Sequence, residues 1–192
     1  MTAALLLVPP GGAVNAEPVS GNLTLDAPDF PVGSTNLEVS TTIYGISLTI
    51  GDGGPACQQA TDELDVIRRG SKAAGASARR GDQRYESEVA DRPVAAQAAR
   101  QAEVCPNSFP VRRISAPDDL KRLSPNIFQM RSATGTVVGM TAYIDIGNRS
   151  IETSATSREF REDASTIKDS PVDTAGFWLV LRNQIAKVER AR

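Results

Sequence analysis

The chain has 192 residues, of which 40% are hydrophobic and 23% are charged, and its formal net charge is −2. This length fits a single domain that can fold around its own core, and the composition is not that of a disordered chain. The sequence contains no histidine, which excludes catalytic triads, metal sites and proton relays built on that residue.

The first sixteen residues are mostly apolar and include turn-forming prolines and glycines. The apolar run 3–8 is followed by Val14 and Ala16, which suit the two sites that signal-peptide cleavage requires. We predict that residues 1–16 are either a signal-peptide remnant, cleaved between Ala16 and Glu17, or a flexible arm that docks on a neighbouring subunit. No apolar run reaches ~18 residues, so no transmembrane segment is predicted.

Residues 36–50 have the alternating pattern of a β-strand. The phase of the alternation changes at Tyr44, which indicates a bulge or a bend at that point. We expect one strand interrupted there. Its apolar positions are Leu37, Val39, Ile43, Ile46, Leu48 and Ile50.

Residues of about 55–105 are predicted to form a helical insertion. Apolar residues recur at three- and four-residue spacing over 55–69, which indicates a first amphipathic helix. A second helix is predicted from Asp91, a candidate N-cap, to Val104. The charged segment 70–92 between them is expected to be a loop or frayed helical extensions.

The chain contains two cysteines, Cys57 and Cys105. Their spacing matches neither a zinc site nor a C-x-x-C redox motif. If the two predicted helices form an antiparallel hairpin, both cysteines lie at its base and can form a disulfide. Two buried free thiols are the alternative.

The C-terminal half carries a second set of strand patterns. A strand is predicted near 109–111, a short capped helix over 115–123, and a hairpin whose arms are 127–131 and 137–146. A last strand is predicted within 175–188. The cleanest alternation places one set of side chains toward the core, namely Val138, Met140, Ala142, Ile144 and Ile146.

This order of elements predicts an α+β fold for residues 17–192, in which an antiparallel sheet carries a helical hairpin insertion packed on one face. Charge divides unevenly along the chain: residues 1–67 hold eight acids and no base, and the remainder holds 21 bases and 15 acids. We therefore expect the acidic segment to contact the basic remainder, within one subunit or between neighbours. We also expect strand 36–50 to pair with strands beyond residue 108.

Ser165 and Lys168 form an S-x-x-K motif that resembles that of the penicillin-recognising serine hydrolases. The resemblance implies a serine nucleophile whose proton is taken by a lysine one helical turn away. It covers four residues only, and Pro171 ends any helix shortly after the motif. No K-T-G follows, so a polar surface turn is the favoured interpretation.

No motif in the sequence indicates a catalytic, metal or cofactor site, and an enzyme is the less favoured reading. Aromatic residues at 5% are too sparse for nucleic-acid stacking. We expect a non-catalytic binding or assembly protein that is exported to the periplasm or the extracellular space and acts through a protein partner or self-assembly. The alternatives are a virion or phage structural subunit and a serine hydrolase that uses Ser165 and Lys168.

Overall fold

The computed structural model describes residues 21–44, 53–105, 110–157 and 170–192. These residues form seven strands, three α-helices and three short 3₁₀ segments. The strands are β1 (Thr35–Ile43), β2 (Lys72–Arg80), β3 (Gln83–Ala90), β4 (Val111–Ile114), β5 (Asn126–Arg131), β6 (Val137–Ile146) and β7 (Arg149–Thr156). The helices are α1 (Gly54–Arg68), α2 (Ala95–Val104) and α3 (Thr174–Arg190), and the 3₁₀ segments are Gly21–Leu23, Ala27–Asp29 and Asp118–Leu123.

The seven strands form one antiparallel sheet in the order β1-β2-β3-β7-β6-β5-β4. Strands β1 to β3 make one meander, and β4 to β7 make a second. The two meanders join where β3 pairs with β7, with Arg84 opposite Thr156 and Ala90 opposite Ser150. We call this junction the seam. The predicted α+β class and antiparallel sheet are confirmed.

One face of the sheet is covered by α3 and by the N-terminal 3₁₀ segments. The five β6 residues predicted to face the core are all buried, and Met140 and Ala142 are completely inaccessible. Four of them belong to the main core cluster, whereas near the register shift Val137 and not Val138 packs against it. Phe177, Val180 and Leu181 of α3 pack into the same cluster. The hairpin of β5 and β6 is therefore confirmed, with its buried face on the main core.

The C-terminal segment is a helix, so the strand predicted within 175–188 is wrong. Asp173 caps the first turn by accepting a hydrogen bond from the backbone N–H of Gly176 at 3.0 Å. The buried residues recur at helical spacing along the whole segment, and the contiguous apolar run contributes Phe177, Val180 and Leu181 to that stripe. They are Gly176, Phe177, Val180, Leu181, Gln184, Ile185 and Val188.

The opposite face carries α1 and α2, at the positions predicted for the two helices. They share a small apolar cluster of Leu64, Val94 and Ala98, and the Cys57–Cys105 disulfide joins them with a Cα–Cα distance of 4.6 Å. Asp91 is not the N-cap of α2. Instead Asp145 of β6 accepts hydrogen bonds from the backbone N–H groups of Val94 and Ala95, both at 3.1 Å.

The segment between these helices is the β2–β3 hairpin, so the loop or frayed helix expected over 70–92 is wrong. Its turn is made by Gly81, whose φ of 60° suits glycine. Tyr85 and Val89 of β3 are fully buried beneath α3. The insertion of residues 55–105 thus contributes two inner strands to the sheet as well as two helices.

Strand β1 pairs with β2 and not with strands beyond residue 108, so that part of the expectation is wrong. The residues after Tyr44 in the predicted strand 36–50 lie outside the described residues. Ion pairs nevertheless link the acidic first third of the chain to the basic remainder. Glu63 pairs with Arg100 at 2.7 Å, and Asp26 pairs with Lys187 at 2.6 Å.

Candidate functional site

A polar trough lies over β1, β2, β3 and β7 on the face opposite α3, beside the end of α1. Its cavity volume is about 440 Å³. Helix α2 packs on β4, β5, β6 and part of β7, and α1 packs on α2, so the trough stays open over β1, β2, β3 and the rest of β7. The side chains that define the trough are Glu38, Ser40, Tyr44, Arg68, Glu88 and Glu152.

The register of the sheet creates the trough by placing Glu88 of β3 directly opposite Glu152 of β7. Ser40 of β1 lies opposite Gly75 of β2, and Gly75 lies opposite Glu88. Residues directly opposite on neighbouring strands present their side chains on the same face. The row therefore runs from the small residues at the edge of the sheet to a pair of carboxyls at its centre.

Gly75 gives the trough a low floor next to the carboxyl pair. A Cβ atom at this position would lie 3.1 Å from the backbone oxygen of Ser87 and 3.4 Å from Cβ of Glu88. Both distances are tighter than or near the limit of ordinary contacts, so a side chain here would crowd β3. Glycine therefore leaves open the path from Ser40 to Glu88.

Burial and neighbouring charges control the ionisation of the two carboxyls. Burial, followed by the negative charge of Glu152, raises the pKa of Glu88 to about 7. Burial also raises the pKa of Glu152, although the Arg68 guanidinium acts in the opposite direction. At neutral pH the pair therefore holds Glu88 close to half-protonated.

Tyr44 and Arg68 hold the two carboxyls in place. The Tyr44 hydroxyl donates a hydrogen bond to Glu88. Arg68 donates to Glu152 over 3.3 Å, and its guanidinium carbon lies 4.8 Å from the centre of the Tyr44 ring. The cation–π contact fixes the tyrosine between the arginine and Glu88. The two carboxyls thus have different partners.

The positive charges of the trough are already paired with other acids. Arg68 pairs with Glu152, and Arg84 pairs with Glu86. Within the described ranges, no lysine or arginine forms an ion pair with Glu88. A cation that enters the trough therefore meets a carboxyl without a counter-charge.

The described residues contain no group of three or more candidate ligands that could hold a metal ion. Within the same ranges, no helix is long and apolar enough to cross a bilayer. The chemistry available to the trough is hydrogen bonding and ion pairing through two carboxyls, a tyrosine hydroxyl and a guanidinium. This set suits an organic cation such as an ammonium or guanidinium group.

The sites predicted from sequence have different outcomes. Cys57 and Cys105 form the disulfide, as expected. The candidate cleavage site at Ala16 and Glu17 and the motif residues Ser165 and Lys168 lie outside the described residues. They remain predictions.

The sequence patterns did not indicate the carboxyl pair, because residues 70–92 were expected to be a loop or frayed helical extensions. The signal is the alternation along β3, in which Arg84, Glu86 and Glu88 are interleaved with buried Tyr85 and Val89. The interleaving of polar and buried residues repeats along β7, with Glu152 between buried neighbours. Period-2 alternation in both segments indicates strands with one charged face.

No protein-family model matches this chain, and neither a curated protein nor a solved structure is detectably similar to it. The trough therefore has to be interpreted from its own geometry.

Proposed function

We propose that the chain is a non-catalytic binding module that receives a cationic side chain of a protein partner in the trough. The observation that carries the proposal is the Glu88 carboxyl, which is half-buried opposite Glu152 and has no cation of its own among the described residues. An incoming ammonium or guanidinium group supplies that counter-charge. Binding is then favoured by a charge-assisted hydrogen bond in a partly desolvated site.

The shape of the trough supports a long side chain with a charged tip. Ser40 and Gly75 form a low floor between the open edge of the sheet and Glu88. The aliphatic stem of a lysine or arginine can lie along such a floor while its tip reaches a polar partner. A partner segment at the edge of the sheet is therefore well placed to reach the carboxyls.

The disulfide supports a place outside the cytoplasm, in the periplasm or the extracellular space. Disulfides persist in oxidising compartments and are rare where thiols are kept reduced. Cys57 and Cys105 join two helices that meet in a cluster of three buried apolar residues, which is consistent with a structural role for the bond. Export is part of the proposal, and the signal-like residues 1–16 are consistent with it.

Calorimetric titration with a short lysine-rich peptide tests the binding proposal. We expect binding at pH 8 to be roughly tenfold stronger than at pH 6, because the fraction of ionised Glu88 rises by about that factor across its pKa of about 7. Glu88→Gln removes the charge and keeps the shape, so we expect roughly tenfold weaker binding at pH 8.

The matched control is Glu103→Gln, because Glu103 is an exposed acid on α2 that pairs with Arg113 away from the trough. This variant should bind the peptide like the unmodified protein. A glutamate-rich peptide should not bind. Equal affinity of the Glu88→Gln and Glu103→Gln variants would contradict the proposal, since the peptide would then be held by general surface charge.

A further inference from the structure

Strand β1 is an unusually accessible sheet edge. Among the described strands it has a single neighbour, β2, and all nine of its residues are exposed. Val39 and Ile43 have exposed fractions of 57% and 68%. Edge strands are usually guarded by lysine, proline or a bulge. β1 has a bulge near Thr35 only, and its regular part contains one charged residue, Glu38.

The hydrogen bonds at the end of β1 show which of its backbone groups point outward. The N–H of Tyr44 donates to the oxygen of Ser71, and the oxygen of Tyr44 accepts from Gly70, so this residue is directed toward β2. Direction alternates along an antiparallel strand. The N–H and C=O groups of Val39, Thr41 and Ile43 therefore point away from the sheet and are available to another strand.

We propose that a second copy of this chain pairs with β1 in antiparallel register, with the two-fold axis at Thr41. In this register Thr41 lies opposite the partner's Thr41, and Val39 lies opposite the partner's Ile43. The outward-directed residues then pair with one another and form the hydrogen-bonded pairs of the new ladder. The result is one continuous sheet across two subunits, and it needs no ligand in the trough.

Side-chain pairing selects this register over the one centred on Val39. Centring on Thr41 brings apolar Val39 against the partner's apolar Ile43 on both sides of the axis, with a threonine pair between them. Such cross-strand pairs stabilise a sheet. Centring on Val39 instead brings the two Glu38 carboxylates near each other as diagonal neighbours, where like charges repel.

Charge complementarity supports the same register. Glu38 lies opposite the partner's Tyr44, whose ring has the Arg68 guanidinium 4.8 Å from its centre. The Arg68 side chain is 19% exposed and pairs with Glu152 in its own chain. Each copy thus brings a second carboxylate toward the partly exposed guanidinium of the other. Two such contacts are made across one two-fold axis.

The contact is small, so the dimer should be weak and dependent on concentration. About seven residues of each chain overlap, which places the buried area at the low end for specific interfaces. We expect sedimentation velocity of the full chain to show monomer at low concentration and dimer at high concentration. Thr41→Lys, which brings two ammonium groups together across the axis, should weaken the dimer at least tenfold at low salt.

Cysteine substitution tests the register directly. Thr41→Cys places two thiols opposite each other with Cα atoms about 5.5 Å apart, within the range of a disulfide. Val39→Cys, an exposed control on the same face, lies four residues away from its own copy along the strand and should not link. We expect mild oxidation to link Thr41→Cys chains through residue 41, identified by peptide mapping, and to leave Val39→Cys chains unlinked.

Two results would contradict the proposed dimer or its register. Rapid linking of Val39→Cys with none of Thr41→Cys would overturn the proposed axis. A monomer at every concentration, together with no linking of either variant, would overturn the dimer. The exposed edge of β1 would then not be a contact between copies of this chain.

Discussion

Strands β3 and β7 present two different surfaces, because alternate residues point to opposite faces of the sheet. Toward α3, Tyr85 and Ile151 are completely or almost completely buried in the main core. Toward the trough, Glu88 and Glu152 oppose each other, and burial raises the pKa of both. The same two strands therefore supply stability on one face and hold on the other a charge arrangement that costs stability. Such a cost is expected at a binding site.

The largest expected effect concerns the helices on the trough face, whose own cluster has three buried residues. Replacing both cysteines, as Cys57→Ala with Cys105→Ala, removes a link that spans 48 residues. We expect a loss of about 4 kcal/mol in the free energy of unfolding, from loop-closure entropy. Urea unfolding measures it.

Dithiothreitol should lower the stability of the unmodified protein toward that of this double variant and leave the variant unchanged. A loss below about 1 kcal/mol would mean that packing, and not the disulfide, holds α1 and α2 together.

The next largest effect on stability comes from comparing substitutions on the two faces of β6. Ile144 is buried beneath α3, whereas Thr141 of β6 is half-buried on the trough face. We expect Ile144→Ala to cost about 3 kcal/mol, because it leaves a cavity in the main core. Thr141→Ala should cost less than about 1 kcal/mol. Urea unfolding measures both changes. Similar losses in the free energy of unfolding for the two variants would show that the α3 face of β6 is no more important for stability than the trough face.

The smallest expected effect is the loss of folding stability caused by ionised Glu88 beside Glu152. Glu88 has a usual pKa of 4.5 and a pKa of about 7 in the folded protein. Between these values the folded state binds a proton that the unfolded chain releases, so this group lowers stability as pH rises from 4.5 through 7. Glu88→Gln should therefore unfold like the unmodified protein at pH 4.

At pH 8 the same variant should be more stable than the unmodified protein by about 1 kcal/mol, after allowance for solvent screening. Thermal unfolding at the two pH values checks the difference. Glu103→Gln serves as the control, and no gain at pH 8 for Glu88→Gln would show that the pair carries no strain.

The sequence predicted the elements whose local pattern agrees with their tertiary role. Strand β6 alternates from Met140 to Ile146, and its buried face over these residues follows from that alternation. The local pattern did not predict helix α3, because residues 177–181 are a contiguous apolar run that suits a buried strand as well as a helix. The helical spacing emerges only when Gln184, Ile185 and Val188 are counted with it.

The trough could not be predicted because it depends on a pairing between distant segments. The alanine-rich residues of β2 favour helix by intrinsic propensity, and the sheet overrides that preference. Even with β3 and β7 recognised as strands, the sequence does not specify that Glu88 lies opposite Glu152. That register comes from the core packing on the α3 face and from the contact of the Ser87 and Thr153 hydroxyls at 2.8 Å.

The seam also has a consequence for the order of folding. Ser87 and Thr153 are separated by 66 residues, whereas the hairpins on either side close over a few residues. Short-range pairs form sooner than long-range ones, because less chain entropy is lost in bringing them together. Each meander can therefore form before the two dock, and Glu88 has its neighbour Glu152 only after docking. In a chain refolding at pH 6, we therefore expect the Glu88 carboxyl to bind its proton when the seam closes.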